Sequence, residues 1–196
     1  MTSTFAKSVP APFVVERSAE SLAFEAHWRN LPKTGLVPER VQFKPEKAAR
    51  FLRNLVLVEA PDADATRVNI RLAGSGVQER MHRDITGHDY LDFLPKPYHD
   101  GALASAKLML SYPCGLWQVM AVHYERGYSQ NVEITAFPLI AGEGSAPLLV
   151  IVMIPVAGLV KAHPSPGKVM VADTASTFEF IDIGAGVPVW PIPPQA

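Results

Sequence analysis

The segment from Val68 to Leu94 constrains the fold more than any other part of the chain. Apolar residues alternate with others from Val68 to Ala73, which is the period of two expected for a strand with one buried face. Two glycines, Gly74 and Gly76, end this strand, and the residues after them leave room only for short helical turns. A strand that leads at once into short helices favours a mixed α and β fold.

Patterns of apolar residues predict five strands between Leu55 and Ile154, with turn-forming residues between paired strands. The first two strands are expected to form an antiparallel hairpin, and so are the third and fourth. A longer helix lies between the hairpins, with Leu103, Ala106 and Leu110 on one stripe. The predicted strands are Leu55–Glu59, Val68–Ala73, Leu116–Glu125, Asn131–Leu139 and Leu148–Ile154, and the predicted helix is His99–Leu110.

The amino-terminal region is expected to combine an extended arm with a helix. Residues 1–17 hold two prolines among small and apolar residues, which favours the arm. A helix is predicted from its candidate cap Ser18, with Phe24, Trp28 and Leu31 on one face. That face either packs on the sheet of its own domain or pairs with a second copy of the chain.

Composition narrows the class of protein and its partners. The 18 basic and 19 acidic residues nearly cancel, which argues against nucleic acid or an anionic membrane surface as a partner. Residues 146–160 are strongly apolar, but they are fewer than the ~20 residues that span a bilayer and favour a central strand covered on both faces. Cys114 is the only cysteine, so a cytoplasmic protein without disulfides is expected.

Three motifs in this order resemble those of a bacterial family of stand-alone PAS domains. They are Arg-Leu-Ala-Gly at 71–74, Asp-Ile-Thr-Gly at 84–87 and Phe-Pro-Leu at 137–139. The resemblance implies an α+β fold in which a five-stranded antiparallel sheet carries short helices on one side and an N-terminal flanking helix. It covers a PAS-like domain at 18–155, between the arm at 1–17 and an extension at 156–196, where the sequence pattern predicts a C-terminal β extension.

The extension is expected to add two strands and a proline-rich tail. The two strands are predicted at Lys168–Ala172 and Phe178–Ile183, and the polar residues Asp173, Thr174 and Ser176 are expected to separate them.

The PAS resemblance implies an apolar pocket between the short helices, the longer helix and the sheet. The third strand contributes one of two alternating sets of side chains, and the sequence leaves the choice open. One set is Trp117, Val119, Ala121 and His123, and the other is Leu116, Gln118, Met120, Val122 and Tyr124. A core filled by its own side chains is the competing interpretation. The expected lining residues are Tyr90, Phe93, Leu94, Tyr98, Leu103, Ala106, Leu110, Trp117, Met120 and Phe137.

Other chemically active residues receive structural interpretations. Arg71 and Glu133 each lie inside a predicted strand and are expected to pair across the sheet. His99 begins the helix that carries the axial histidine in haem-binding PAS domains, but an ordinary solvated histidine is the preferred interpretation. Cys114 is expected to be a structural thiol. No catalytic residue or metal site is predicted, and the cofactor stays unknown.

The resemblance therefore implies a non-catalytic sensory, ligand-binding or protein-interaction module in bacterial signalling. Its output would pass to a protein partner or through a homodimer, and its ligand would be a small apolar molecule. The alternative is a small-molecule enzyme with a cone-like α+β cavity that uses an aspartate and histidine pair. The candidates for that pair are Asp84, His88, Asp92 and His99.

Overall fold

The structure, a computed structural model, describes residues 16–60, 64, 66–124, 128–142, 146–156, 160–161 and 170–189. Only the backbone is described at 128, 160–161 and 170–176. Most of the predicted arm and of the proline-rich tail therefore lies outside the described residues.

Seven strands form one antiparallel sheet in the described part of the chain. They are β1 (Leu55–Glu59), β2 (Ile70–Ala73), β3 (Cys114–Tyr124), β4 (Tyr128–Leu139), β5 (Leu148–Pro155), β6 (Val160–Lys161) and β7 (Met170–Asp182). The strand order is β2-β1-β5-β4-β3-β7, and β6 pairs with β4. The five strands predicted from the sequence are confirmed with small changes at their ends.

The apolar run at 146–160 supplies β5, which lies between β1 and β4 and is mostly buried. This position explains its composition, because a central strand covered on both faces has no solvated side to carry polar residues. Among the described residues, no helix is both long and apolar enough to cross a membrane.

The C-terminal extension joins the same sheet through β6 and β7, but the break predicted between Lys168–Ala172 and Phe178–Ile183 is wrong. One continuous strand, β7, runs from Met170 to Asp182 and pairs with β3. Its register against β3 shifts twice. The β3 residues Val119, Met120 and Val122 pair with Thr177, Ala175 and Ala172, respectively. The polar stretch predicted as a break is therefore accommodated as extra residues in a bulged strand.

In the described ranges, three α helices and five short 3₁₀ helices cover the two faces of the sheet. The α helices are α1 (Ala19–Arg29), α2 (Ser75–Met81) and α3 (His99–Ser111). The 3₁₀ helices are Arg40–Gln42, Pro45–Ala48, Leu52–Asn54, Tyr90–Phe93 and Lys96–Tyr98.

The face beneath α1, here called the outer face, is closed by aromatic packing. Ser18 caps α1 by accepting a hydrogen bond from the Ser21 N–H, and Phe24 and Trp28 are fully buried. The Trp28 indole stacks on Phe137 with ring centroids 4.7 Å apart and donates to the Pro138 carbonyl at 3.0 Å. Burial of each such side chain contributes roughly 1.5–3 kcal/mol. The apolar face of α1 therefore packs on its own sheet, which is one of the two predicted alternatives.

The opposite face, here called the inner face, is covered by α2, α3 and the 3₁₀ helix Tyr90–Phe93. Its buried cluster includes Val77 and Met81 of α2, and Ala106 and Met109 of α3. Both clusters use the same strands, because successive residues of a strand point to opposite sides. The sheet thus separates two apolar layers with different coverings.

The glycine of the Arg-Leu-Ala-Gly motif is required by a close approach of two backbone segments. A Cβ on Gly74 would lie 2.0 Å from the carbonyl oxygen of Leu52 and 2.6 Å from that of Arg53. The Gly74 N–H also donates to the Leu55 carbonyl at 2.8 Å. This contact lets β2 turn directly into α2, which brings α2 over the inner face.

Candidate ligand-binding site

The inner face is the candidate ligand-binding site, and the register of β3 decides which side chains line it. Leu116 and Met120 belong to the buried inner cluster, so Gln118 between them points to the same side. Across the sheet, Gln118 pairs with Ile134 of β4 and Phe178 of β7, which also pack in or against this cluster. The choice that the sequence left open is therefore settled in favour of the set that contains Gln118.

Two predicted lining residues, Trp117 and Phe137, lie on the outer face instead. The Trp117 indole Nε1 donates to Glu133 at 2.7 Å, and Phe137 stacks on Trp28. Along β3, Trp117 points to the side opposite to Met120, and along β4, Phe137 points to the side opposite to Ile134. Neither side chain can therefore line the inner face. Their assignment to the pocket is wrong, because the sequence does not show which side of a strand faces α1.

The predicted pairing of Arg71 with Glu133 is also wrong. Arg71 Nη1 lies 3.4 Å from Glu59 Oε1 on the neighbouring strand β1. Glu133 is buried on β4, and its Oε1 accepts hydrogen bonds from Trp117 Nε1 and from the Ser18 N–H. Because β1 and β5 lie between β2 and β4, the two side chains cannot meet.

The other predicted lining residues lie on or beside the inner face. Phe93, Ala106 and Met120 belong to the buried cluster, whereas Tyr98 is half-buried at the end of the 3₁₀ helix Lys96–Tyr98. The remaining four, Tyr90, Leu94, Leu103 and Leu110, pack against the cluster without being fully buried.

The inner face is bordered by more accessible apolar side chains than the outer face. Among the described residues, ten apolar side chains pack against the inner cluster while keeping some accessible surface, compared with four at the outer cluster. Besides the four predicted residues, the inner set contains Ala102, Tyr124, Ile151, Met153, Phe178 and Phe180.

Two of these side chains extend the inner face beyond the five predicted strands. Phe178 and Phe180 of β7 contact each other edge to face, with ring centroids 5.1 Å apart. The strand that carries them contacts the 3₁₀ helix Tyr90–Phe93. Sequence reasoning missed them as lining residues because nothing in the sequence indicates which strand the extension joins.

Two polar groups on this apolar face have no hydrogen-bond partner among the described residues. One is the side-chain amide of half-buried Gln118, and the other is the hydroxyl of Tyr90. Burial raises the pKa of Tyr90 to about 12, so its hydroxyl keeps its proton and can donate. A few polar groups on an otherwise apolar lining are typical of small-molecule sites.

A cationic side chain lies at the border of the inner cluster. Arg80 of α2 donates from Nη1 to Asn54 Oδ1 at 3.0 Å and from Nη2 to the Met153 carbonyl at 3.1 Å. The Tyr124 hydroxyl is also within hydrogen-bonding reach. Burial lowers the pKa of Arg80, which shows that its guanidinium is partly removed from water.

The residues of the enzyme alternative do not converge on the inner face. Asp84, His88 and Asp92 are exposed, and Asp84 accepts from the Thr86 N–H at 2.9 Å, which lowers the pKa of its carboxyl. His99 Nε2 lies 3.0 Å from the Leu94 carbonyl oxygen. An aspartate and histidine pair inside an apolar cavity is therefore not formed by these side chains.

The remaining candidates for chemistry are also accounted for. Cys114 is fully buried, and burial raises the pKa of its thiol to about 11, as is usual for a structural cysteine. Among the residues that the structure describes, no group of three or more histidine, cysteine, aspartate or glutamate side chains is placed to hold a metal ion.

The arrangement as a whole defines a class of protein. The order β2-β1-β5-β4-β3, with the helices between β2 and β3 packed on one face, is that of an α+β sensory or interaction domain. A family model described as PAS domain matches residues 16–153, which is more than half of the chain. The chain belongs to the PAS domain family, whose members are generally non-catalytic and commonly bind ligands or partners. No curated protein matches it.

Proposed function

We propose that the chain is a non-catalytic sensory module of bacterial signalling that binds a small, mainly apolar molecule on its inner face. The observation that carries this proposal is the side-chain amide of Gln118, which lies in the middle of an apolar surface without a partner among the described residues. A hydrogen bond made in such an apolar setting contributes roughly 0.5–1.5 kcal/mol. A ligand that pairs with this half-buried amide would gain that contribution.

The geometry also offers a route for the output. On β4, Ile134 faces the inner cluster, and its neighbour Glu133 points to the outer face. Glu133 holds the N–H of Ser18, the cap of α1, at 3.0 Å. A ligand that shifts β4 would therefore move the beginning of α1, and we propose that a partner protein or a second copy of the chain reads this change.

Cellular location belongs to the proposal as well. The single cysteine of the chain, Cys114, is a buried free thiol, as is usual in the reducing cytoplasm. We therefore place this signalling module in the cytoplasm.

Native mass spectrometry of the purified full chain, followed by denaturation of the same sample, tests ligand binding directly. The expected result is a bound mass that disappears on denaturation. It should be lost in Gln118→Leu and retained in the matched control Gln42→Leu, whose glutamine lies on the 3₁₀ helix Arg40–Gln42, next to Phe43 of the outer cluster. Bare protein mass in the wild type, or equal retention in both variants, would contradict the proposed site.

A further inference from the structure

Arg80 is a partly buried cation whose hydrogen-bond acceptors are all neutral. They are the Asn54 side-chain oxygen, the Met153 carbonyl and the Tyr124 hydroxyl. Within the described ranges, no carboxylate lies within 4.0 Å of the Arg80 side chain. Glu79, the adjacent residue, is engaged by Arg53 at 2.5 Å.

This arrangement leaves the positive charge without a carboxylate of its own at a site that is partly removed from water, because the nearby Glu79 is already paired with Arg53. Removing a cation from water costs several kcal/mol unless an anion compensates it. Arginine remains protonated even when burial lowers its pKa, because its ordinary value is above 12. The site therefore favours the arrival of an anion.

The guanidinium lies beside the same apolar face as Gln118. Val77 and Met81, on either side of Arg80 in α2, belong to the inner cluster, and the Tyr124 and Met153 side chains pack against it. Met153 pairs with Ile134, which pairs with Gln118, so their backbones are two strand spacings apart, or about 10 Å. One small molecule is long enough to contact both polar positions.

The guanidinium also has donors to spare. It carries five N–H groups, of which two bond to Asn54 and Met153 and one can bond to the Tyr124 hydroxyl. Burial raises the pKa of Tyr124, so its hydroxyl stays protonated and can donate to the same anion. A carboxylate at this point would receive charge-assisted hydrogen bonds, which are about twice as strong as neutral ones.

We propose that the ligand of the inner face is an organic acid, with an apolar body on the inner cluster and a carboxylate bound to Arg80. This inference rests on the proposed function, because it assigns the chemical class of the ligand for the same site. The competing interpretation is that Arg80 only ties α2 to Asn54 and to β5.

The test compares two probes of nearly equal shape, 2-naphthoate and 2-naphthamide, by calorimetric titration of the full chain. We expect the acid to bind about tenfold more tightly than the amide, because only the acid compensates the charge of Arg80. Equal affinity of the two probes would overturn the organic-acid inference and leave the proposed function standing. Failure of both probes to bind the folded wild type would count against the proposed function itself.

Variants assign the effect to Arg80. In Arg80→Met the preference for the acid should disappear, and in Arg80→Lys part of it should remain because the charge is kept. The matched control is Arg71→Met, which removes an exposed arginine that pairs with Glu59 on β1 and should keep the preference. An unchanged preference in Arg80→Met would overturn the inference, and the wild-type comparison of acid and amide decides the question if that variant does not fold.

Discussion

Trp117 donates a hydrogen bond of 2.7 Å from its indole Nε1 to Oε1 of Glu133 on the adjacent strand. The same oxygen accepts from the backbone N–H of Ser18 at 3.0 Å, and the Glu133 side chain is only 1% exposed. A carboxylate at the beginning of a helix is also favoured by the helix dipole. One buried acceptor therefore fixes the beginning of α1 to the outer face of the sheet.

Replacing Glu133 by alanine should lower the free energy of unfolding by about 2–4 kcal/mol, because the buried Trp117 indole and the partly buried Ser18 N–H lose their acceptor. Urea unfolding followed by tryptophan fluorescence measures this change. Glu133→Gln keeps an acceptor oxygen and should lose less than half as much. A loss in Glu133→Ala no greater than that in Glu133→Gln would show that the two hydrogen bonds contribute little.

Gly74→Ala should destabilise the protein severely or prevent folding, because the new Cβ would lie 2.0 Å from the rigid carbonyl oxygen of Leu52. The matched control is Gly101→Ala in α3, where a Cβ meets nothing within 4 Å. This control should gain about 0.5–1 kcal/mol from helix propensity. Thermal unfolding measures the melting temperature of both variants. Similar melting temperatures would refute the close approach of the two backbone segments at Gly74.

The thiol of Cys114 should be almost inert in the folded protein. With its pKa raised to about 11, only about one thiol in a thousand is ionised near pH 8, and the side chain is 0% exposed. Reaction with a disulfide reagent should therefore be at least about a hundredfold slower in the native state than in urea. Comparable rates would mean that β3 opens readily at this end.

The raised thiol pKa also gives the direction of a pH effect on stability. The folded state holds the proton of Cys114 more tightly than the unfolded state, so this contribution is complete below the ordinary thiol value of 9.0 and is lost as pH rises towards about 11. Urea unfolding across this range should show a steeper decline in the wild type than in Cys114→Ala. An equal decline of the free energy of unfolding with pH in both proteins would show that the pKa of Cys114 is not raised by folding.

Tyr90 should ionise well above an ordinary tyrosine. Its pKa is raised from 10.0 to about 12 by burial. The absorbance of tyrosinate, titrated in the wild type and in Tyr90→Phe, should rise equally in both proteins up to about pH 11. A difference between the two curves already near pH 10 would show that the Tyr90 hydroxyl is solvated and not enclosed by the inner face.

Local patterns determined most of the secondary structure. The period of two located the five strands because side-chain alternation is a property of the strand itself, and β1 was predicted to the residue. Ser18 as a cap and His99 as the first residue of α3 were likewise confirmed, since capping and helical spacing involve only near neighbours.

The composition of the candidate site could be predicted only in part. The helical residues such as Leu103 and Ala106 were placed correctly because each helix has one apolar stripe. Arg80 was missed because a charged residue near the end of a short helix is normally solvated, and only the tertiary structure shows that its guanidinium reaches Met153 on β5. A signal for Gln118 was present, since it is the one amide within the apolar run of β3.

The sequence by itself determined the family, the strands and the helices, because these depend on motifs and on residues close together in the chain. Only the tertiary structure decided that Trp117 and Phe137 face α1. It also decided that Arg71 pairs with Glu59 and that β7 joins β3. The physical reason is that the alternation of a strand defines two faces but not their coverings. Strand order and coverings are set by contacts between residues far apart in the chain.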